Sequence, residues 1–106
     1  MSIFNIFARK DINEGVRSFR ENKNAILLDV RTREEYASGH IEGSRNLPLD
    51  EIDSVDSVIR DKNVSLYVHC LSGGRSARAV AYLRGKGYKD VYDIGGIGSY
   101  SGKIVV

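Results

Sequence analysis

The apolar run from Ala25 to Val30 strongly limits how this chain can fold. Ala-Ile-Leu-Leu leads into Asp29 and Val30, so a strand built from this segment has apolar residues on both faces. Such a strand fits the centre of a parallel sheet that has helices packed on both sides. Apolar residues at Val64, Leu66 and Val68 predict a second strand.

Helical patterns alternate with these strands. We expect a helix capped by Asp11, followed after the first strand by a short helix that starts at the capping box Thr32–Glu35 and ends at Gly39. The next segment is capped by Asp50 and buries Ile52, Val55 and Val58 or Ile59. After the second strand we expect a helix from Arg75 to Leu83, closed by Gly85 or Gly87, and a last strand within Tyr88 to Ile94. The alternation predicts an α/β fold with a mainly parallel central sheet flanked by helices on both faces.

Length and composition exclude several classes of protein. A chain of 106 residues has the length of one domain, which we expect to span residues 1–106. The net charge of +2 is too small to argue for a nucleic-acid partner, and no run reaches the roughly 18 apolar residues of a membrane span. A single cysteine excludes an intramolecular disulfide and suits a reducing compartment. We therefore expect a cytoplasmic protein.

The single cysteine, Cys70, ends the second strand and is followed by a loop with two glycines. Glycine permits positive backbone torsions, so the N–H groups of such a loop can converge on an anion beside the positive end of the next helix. A thiol pKa about two units below its usual value of about 8.5 would make Cys70 about three-quarters thiolate at pH 7. A buried structural cysteine is the alternative, but Cys70 ends its apolar run instead of sitting within it.

Two side chains of the loop keep open roles at this stage. Arg75 can point its guanidinium into the loop or brace the loop from outside. Ser76 can donate a hydrogen bond into the loop or cap the following helix.

The segment Cys70–Ser76 resembles the Cys-x-Ser-Gly-x-Arg-Ser signature of the rhodanese-like sulfurtransferases. Further blocks of the chain that resemble this family are Leu28–Arg31, Glu35–Tyr36, Gly39–Ile41, Gly43–Pro48, Gly85–Val91 and Gly95–Gly96. Together these blocks cover about residues 26 to 100. One departure is Tyr100, which stands about where the family often has tryptophan.

The resemblance implies a rhodanese fold in which Cys70 is the nucleophile and carries a sulfane sulfur as a persulfide. The substrate-binding residues that it implies are Leu71, Ser72, Gly73, Gly74, Arg75 and Ser76. A small anionic donor such as thiosulfate would load the sulfur, and cyanide, a thiol or a sulfur-accepting protein would remove it. No cofactor is implied.

Rival functions remain open. A cysteine phosphatase or arsenate reductase also uses a Cys…Arg loop, but that pattern has five intervening residues and this chain has four. A binding or regulatory module that has lost catalysis is the second rival, against which the presence of the cysteine argues. A persulfide-relay module for a partner protein shares the chemistry and differs only in its acceptor, so the sequence leaves it open.

The remaining polar candidates are interpreted structurally. We expect Asp29 and Arg31 to form a buried ion pair or loop brace, with substrate contact by Arg31 as the alternative. We expect His40 to fix a turn by a hydrogen bond. His69 should point away from Cys70, because adjacent residues of a strand face opposite sides. With two histidines and one cysteine scattered along the chain, we expect no metal site.

Overall fold

The computed structural model describes residues 10–106, so residues 1–9 of the expected domain lie outside the described part. The elements, in chain order, are α1 (Ile12–Glu21), β1 (Ala25–Asp29), α2 (Arg33–Ser38), β2 (His40–Ile41), β3 (Arg45–Asn46), a 3₁₀ helix (Leu49–Ser54), α3 (Val55–Val58), β4 (Ser65–Cys70), α4 (Gly74–Gly85), β5 (Asp90–Gly96), a second 3₁₀ helix (Ile97–Ser99) and β6 (Ile104–Val105).

Within residues 10–106, four strands form the central sheet in the order β3-β1-β4-β5, and every pairing between them is parallel. The two central strands, β1 and β4, send alternate side chains to opposite faces. Leu28 and Leu66 pack into one core, whereas Leu27 and Tyr67 pack into another on the opposite face. The predicted α/β fold with a mainly parallel sheet is confirmed.

Helices cover both faces of this sheet. The first core is closed by α4, α3 and the first 3₁₀ helix, through Ile52, Val55, Ile59, Ala79, Val80 and Leu83. The second core is closed by α1, through Ile12 and Val16, with Ile41 of β2 beside it. None of the helices within residues 10–106 is long and apolar enough to span a membrane.

Two local capping signals predicted correctly where helices begin. The Asp11 carboxylate accepts hydrogen bonds from the backbone N–H groups of Asn13 and Glu14 at the start of α1. At α2 the capping box predicted from Thr32 and Glu35 is complete, and the helix ends before Gly39.

The predicted cap at Asp50 is wrong. The first 3₁₀ helix begins at Leu49, with Pro48 at its N-cap position, and no side chain of the described part of the chain caps it. Pro48 has φ near −56°, and the N–H of Leu49 donates to the Val30 carbonyl at 3.1 Å. The chain is therefore tied to the end of β1 before Asp50 is reached. At the end of α3, Ile59 is buried and Val58 is exposed.

The end of the chain holds one strand more than predicted. β5 continues to Gly96, two residues beyond the predicted segment. After it, β6 pairs antiparallel with β2, joining Ile104 to Ile41 and Val105 to His40. Strands of two residues are too short to show a period, so no sequence pattern predicts them.

The parallel sheet brings three strand ends together. Cys70 ends β4 and pairs in register with Gly96 at the end of β5, and Asp29 ends the neighbouring β1. Loops at this edge of a parallel sheet are where ligands bind in α/β folds.

Candidate active site

The loop after Cys70 turns sharply into α4. Only Leu71, Ser72 and Gly73 separate β4 from the helix. Gly73 is the N-cap residue of α4 and has φ of +110°, a left-handed conformation that side chains resist. The helix therefore begins at Gly74, one residue before the predicted start, and Ser76 lies inside its first turn instead of capping it.

The Cys70 sulfur accepts two backbone hydrogen bonds. The N–H of Gly73 donates to Sγ at 3.0 Å, and the N–H of Ser76 donates at 3.3 Å. The Ser76 hydroxyl lies 3.6 Å from Sγ. Both amides belong to residues that the sequence singled out, and the first turn of a helix leaves such N–H groups without intrahelical partners.

Opposing effects set the acidity of Cys70. Burial raises the pKa of the thiol, while a Ser76 hydroxyl that donates to the sulfur and the amides of Ser76, Gly73 and Ser72 lower it. The net result is a pKa below the ordinary value of a thiol. Thiolate is the nucleophilic form of cysteine, so this arrangement favours the reactive form.

Asp93 was not singled out in the sequence, yet it lies at the centre of the site. One carboxylate oxygen, Oδ1, accepts hydrogen bonds from the Ser76 hydroxyl at 2.8 Å and from the Gly95 N–H at 3.1 Å. The other, Oδ2, pairs with Lys10 at 3.2 Å. Asp93 follows the buried Val91 by two residues, which places it on the face of β5 that α4 covers. A charged residue on the buried face of a strand is the sequence signal by which Asp93 could have been singled out.

Arg75 pairs with Glu35, so its side chain braces the loop. Its two terminal nitrogens donate to the two carboxylate oxygens of Glu35 at 2.7 and 3.0 Å. This bond lowers the pKa of Glu35 to about 2, and burial opposes the shift. Glu35 also accepts from the N–H of Thr32, so one carboxylate joins the start of α2 to the start of α4.

The Asp29–Arg31 pair is buried, as expected. Arg31 donates to both carboxylate oxygens of Asp29 at 2.7 to 3.0 Å and to the Gly39 carbonyl at 2.8 Å. His40 lies 2.9 Å from the Tyr36 carbonyl through Nδ1, and its ring stacks on that of Tyr36, which fixes the turn after α2.

Two open pockets border the loop. One, of about 610 Å³, is lined by Lys10, Leu71, Ser72, Gly73, Gly74, Ala77, Gly95, Gly96, Gly98 and Ser99. The other, of about 530 Å³, lies beside Arg75 between α4 and the first 3₁₀ helix. Within residues 10–106, no group of three or more His, Cys, Asp or Glu side chains is arranged to hold a metal ion.

Comparisons with known proteins agree on one family. A family model described as "Rhodanese-like domain" matches residues 13–103. Over 85 residues the chain is 36% identical to the thiosulfate sulfurtransferase GlpE of Pseudomonas putida strain GB-1, covering 78% of this chain and 74% of that protein. Over 97 residues it is 35% identical to a tRNA uridine(34) hydroxylase of Buchnera aphidicola, covering 86% of this chain but only 30% of the hydroxylase.

A solved structure gives the same result. A rhodanese with anions from E. coli superposes with a TM-score of 0.70 at 32% sequence identity. The match covers 76% of this chain and 96% of the E. coli chain.

Proposed function

The chain belongs to the rhodanese-like family, and on this premise we propose that it is a sulfurtransferase in which Cys70 carries the transferred sulfur as a persulfide. The proposed donor is thiosulfate or a similar small anion, and the acceptor is cyanide or a thiol. The observation that carries the proposal is the pair of N–H groups, from Gly73 and Ser76, that donate to the Cys70 sulfur.

Loading begins with attack of the Cys70 thiolate on the outer sulfur of thiosulfate. The new bond joins the two sulfur atoms, while the bond to the sulfonate sulfur breaks and sulfite leaves with its electron pair. The product is an anionic persulfide, Cys–S–S⁻. Thiolate nucleophiles and anionic products are both stabilised by N–H groups fixed in advance, as in other anion-stabilising sites.

The rest of the loop is proposed to bind the outer sulfur and the donor. The amides of Gly74 and Arg75 lie in the first turn of α4, where backbone donors have no acceptor within the helix. Together with Leu71 and Ser72 they line the proposed binding loop, and Arg75 adds a positive charge at its side. These groups are the right chemistry for a small anion.

Unloading breaks the bond between the Cys70 sulfur and the outer sulfur. Cyanide or a thiolate attacks the outer sulfur, the sulfur–sulfur bond breaks, and Cys70 leaves as a thiolate. A protein thiol that docks at the loop is an equivalent acceptor, for which the exposed side chain of Leu71 (47% exposed) supplies an apolar contact. The GlpE relative supports thiosulfate as the donor to test first.

Intact mass spectrometry tests this function. Reduced protein treated with thiosulfate should gain about 32 Da, the mass of one sulfur, and lose it again on addition of cyanide with release of thiocyanate. Cys70→Ser should fold and show no gain, because the change is small and no disulfide is lost. A wild-type protein that gains no sulfur, or a Cys70→Ser variant that still produces thiocyanate, would overturn the proposal.

A further inference from the structure

The Ser76 hydroxyl has one proton and several possible acceptors. Its oxygen lies 2.8 Å from Asp93 Oδ1, 3.0 Å from the Gly73 carbonyl, 3.5 Å from the Gly95 carbonyl and 3.6 Å from the Cys70 sulfur. The carboxylate is both the nearest acceptor and the only charged oxygen among them, and hydrogen bonds to charged acceptors are the stronger ones. The proton therefore points to Asp93 in the resting enzyme.

This choice decides what Ser76 does to the sulfur. A hydroxyl that donates to Asp93 presents an oxygen lone pair to Cys70. This lone pair accepts a hydrogen bond from the thiol S–H and therefore favours the thiol over the thiolate. A hydroxyl that donates to Cys70 stabilises the thiolate instead. The two arrangements exclude each other because there is one proton.

We propose that Asp93 is a positioning residue that sets the thiolate fraction of Cys70 by holding the proton of the Ser76 hydroxyl. Asp93 has a largely buried side chain (11% exposed), and the Gly95 N–H and Lys10 hold its two oxygens in place. Its negative charge lies one hydroxyl group away from the sulfur. This charge disfavours the thiolate, as does the donation of the Ser76 proton to Asp93. This role rests on the proposed function, in which the Cys70 thiolate is the nucleophile, but the acidity of the thiol is measurable without sulfur transfer.

The other charged groups around Cys70 do not replace this role. Arg75 of α4 is tied to Glu35 of α2, so its charge is shared with a carboxylate. Asp29 of β1 is matched by Arg31. Lys10 partly offsets the charge of Asp93 from a half-exposed position. Asp93 is thus the carboxylate that reaches the sulfur through a single intervening group.

The pH dependence of alkylation tests the inference directly. Cys70 is the only cysteine, so the rate of reaction with iodoacetamide between about pH 5.5 and 9.5 reports the pKa of this thiol alone. Asp93→Asn should lower that pKa by about one unit, because the charge is removed and the neutral amide oxygen competes less strongly with the sulfur for the hydroxyl proton. Asp90→Asn is the matched control: it removes a carboxylate of the same strand that bonds Ser65 and Tyr92 instead of Ser76.

A double-mutant cycle with Ser76→Ala, which keeps the backbone N–H, tests the route through the hydroxyl. At least half of the Asp93→Asn shift should disappear in the Ser76→Ala background. An Asp93→Asn pKa equal to that of wild type or Asp90→Asn would overturn the inference, as would a shift of the same size with and without Ser76.

Circular dichroism melts establish that each variant folds. Failure to form a persulfide would remove the proposed function, whereas the alkylation pKa would still decide the role of Asp93.

Discussion

His69 lies beside Cys70 on β4 but faces the opposite side of the sheet, the side on which Tyr67 packs. It is fully buried, and its Nδ1 lies 3.2 Å from the Cys70 carbonyl. Its Nε2 lies 3.8 Å from Asp29 Oδ2, beyond hydrogen-bonding distance, and has no partner within residues 10–106. A neutral ring carries one proton, so either tautomer leaves one nitrogen with a poor contact.

This burial makes folding stability depend on pH. Burial lowers the pKa of His69, although the charge of Asp29 opposes the shift. Below the unfolded pKa of about 6.5 the unfolded chain binds a proton that the folded protein does not, so stability falls as the pH falls. The loss is at most about 1.4 kcal/mol per pH unit.

His69→Phe keeps a planar ring and removes the titration. We expect the free energy of unfolding of the wild type, relative to His69→Phe, to decrease by about 1 kcal/mol between pH 7 and 5.5. Urea denaturation of both proteins at several pH values measures this difference. A difference that stays constant over this range would contradict the prediction.

At the scale of elements, the Arg75–Glu35 ion pair connects the start of α2 to the start of α4 beside the loop. Both side chains are about one-third exposed, at 32% and 31%, so their attraction is screened by solvent. Exposed ion pairs stabilise proteins by about 1 kcal/mol or less. Loss of this pair is therefore expected to leave the fold largely intact.

Two variants separate the charge of Arg75 from its bracing contact. Arg75→Ala removes both, and we expect the KM for thiosulfate to rise roughly three- to tenfold, the effect of about 1 kcal/mol of charge attraction. Glu35→Gln removes the brace but keeps the guanidinium, and its KM should stay at or below the wild-type value. Steady-state kinetics at low ionic strength measures both, with melting temperatures as the check on folding.

The KM values of the two variants distinguish the charge of Arg75 from its contact with Glu35. An increase of KM in Arg75→Ala alone supports the charge, while an equal increase in both variants would show that the brace matters and the charge does not. An unchanged KM in both would remove Arg75 from the substrate-binding residues.

The helices and strands that could be predicted are those with local signals. The cap at Asp11, the capping box at Thr32 and the apolar strand from Ala25 depend on residues within a few positions of each other. The pairing of β6 with β2 had no local signal, because it joins two segments of two residues each that lie far apart in the chain. The position of Cys70 at a strand end followed from the same local patterns.

The supporting contacts of the site could not be predicted in the same way. Ser76 meets Asp93 across 17 positions of the chain, and Arg75 meets Glu35 across 40. These distances depend on the strand order and on where α4 crosses the sheet. The sequence therefore identified the loop, whereas the groups that tune and brace it required the tertiary structure.

At the scale of the whole molecule, the sheet supports the loop from behind. Gly96 of β5 is the register partner of Cys70, and it approaches the loop so closely that a Cβ atom there would lie 2.3 Å from the Leu71 carbonyl oxygen and 2.6 Å from Ser72 Cα. The N–H of Gly98 also donates to the Leu71 carbonyl at 3.1 Å. The end of β5 thus packs directly against the loop and limits where its backbone can lie.

Gly96→Ala should therefore damage activity more than it damages the fold. The methyl group meets backbone atoms that cannot rotate away, so the loop must shift and its amides must leave their alignment on Cys70. A misplacement of about 1 Å can reduce a reaction rate by about a hundredfold, and we expect at least a tenfold slower loading by thiosulfate. Gly85→Ala is the control, because among residues 10–106 no atom outside the helix's own backbone lies within 4 Å of a Cβ at that position.

The control should melt at a slightly higher temperature than wild type, since alanine at the end of a helix restricts the unfolded chain more than glycine does. Its loading rate should equal that of wild type. Persulfide formation followed by mass spectrometry, together with thermal melts, compares the three proteins. If Gly96→Ala loads at the wild-type rate, β5 does not position the loop, and the geometry around Cys70 must be held by α4 alone.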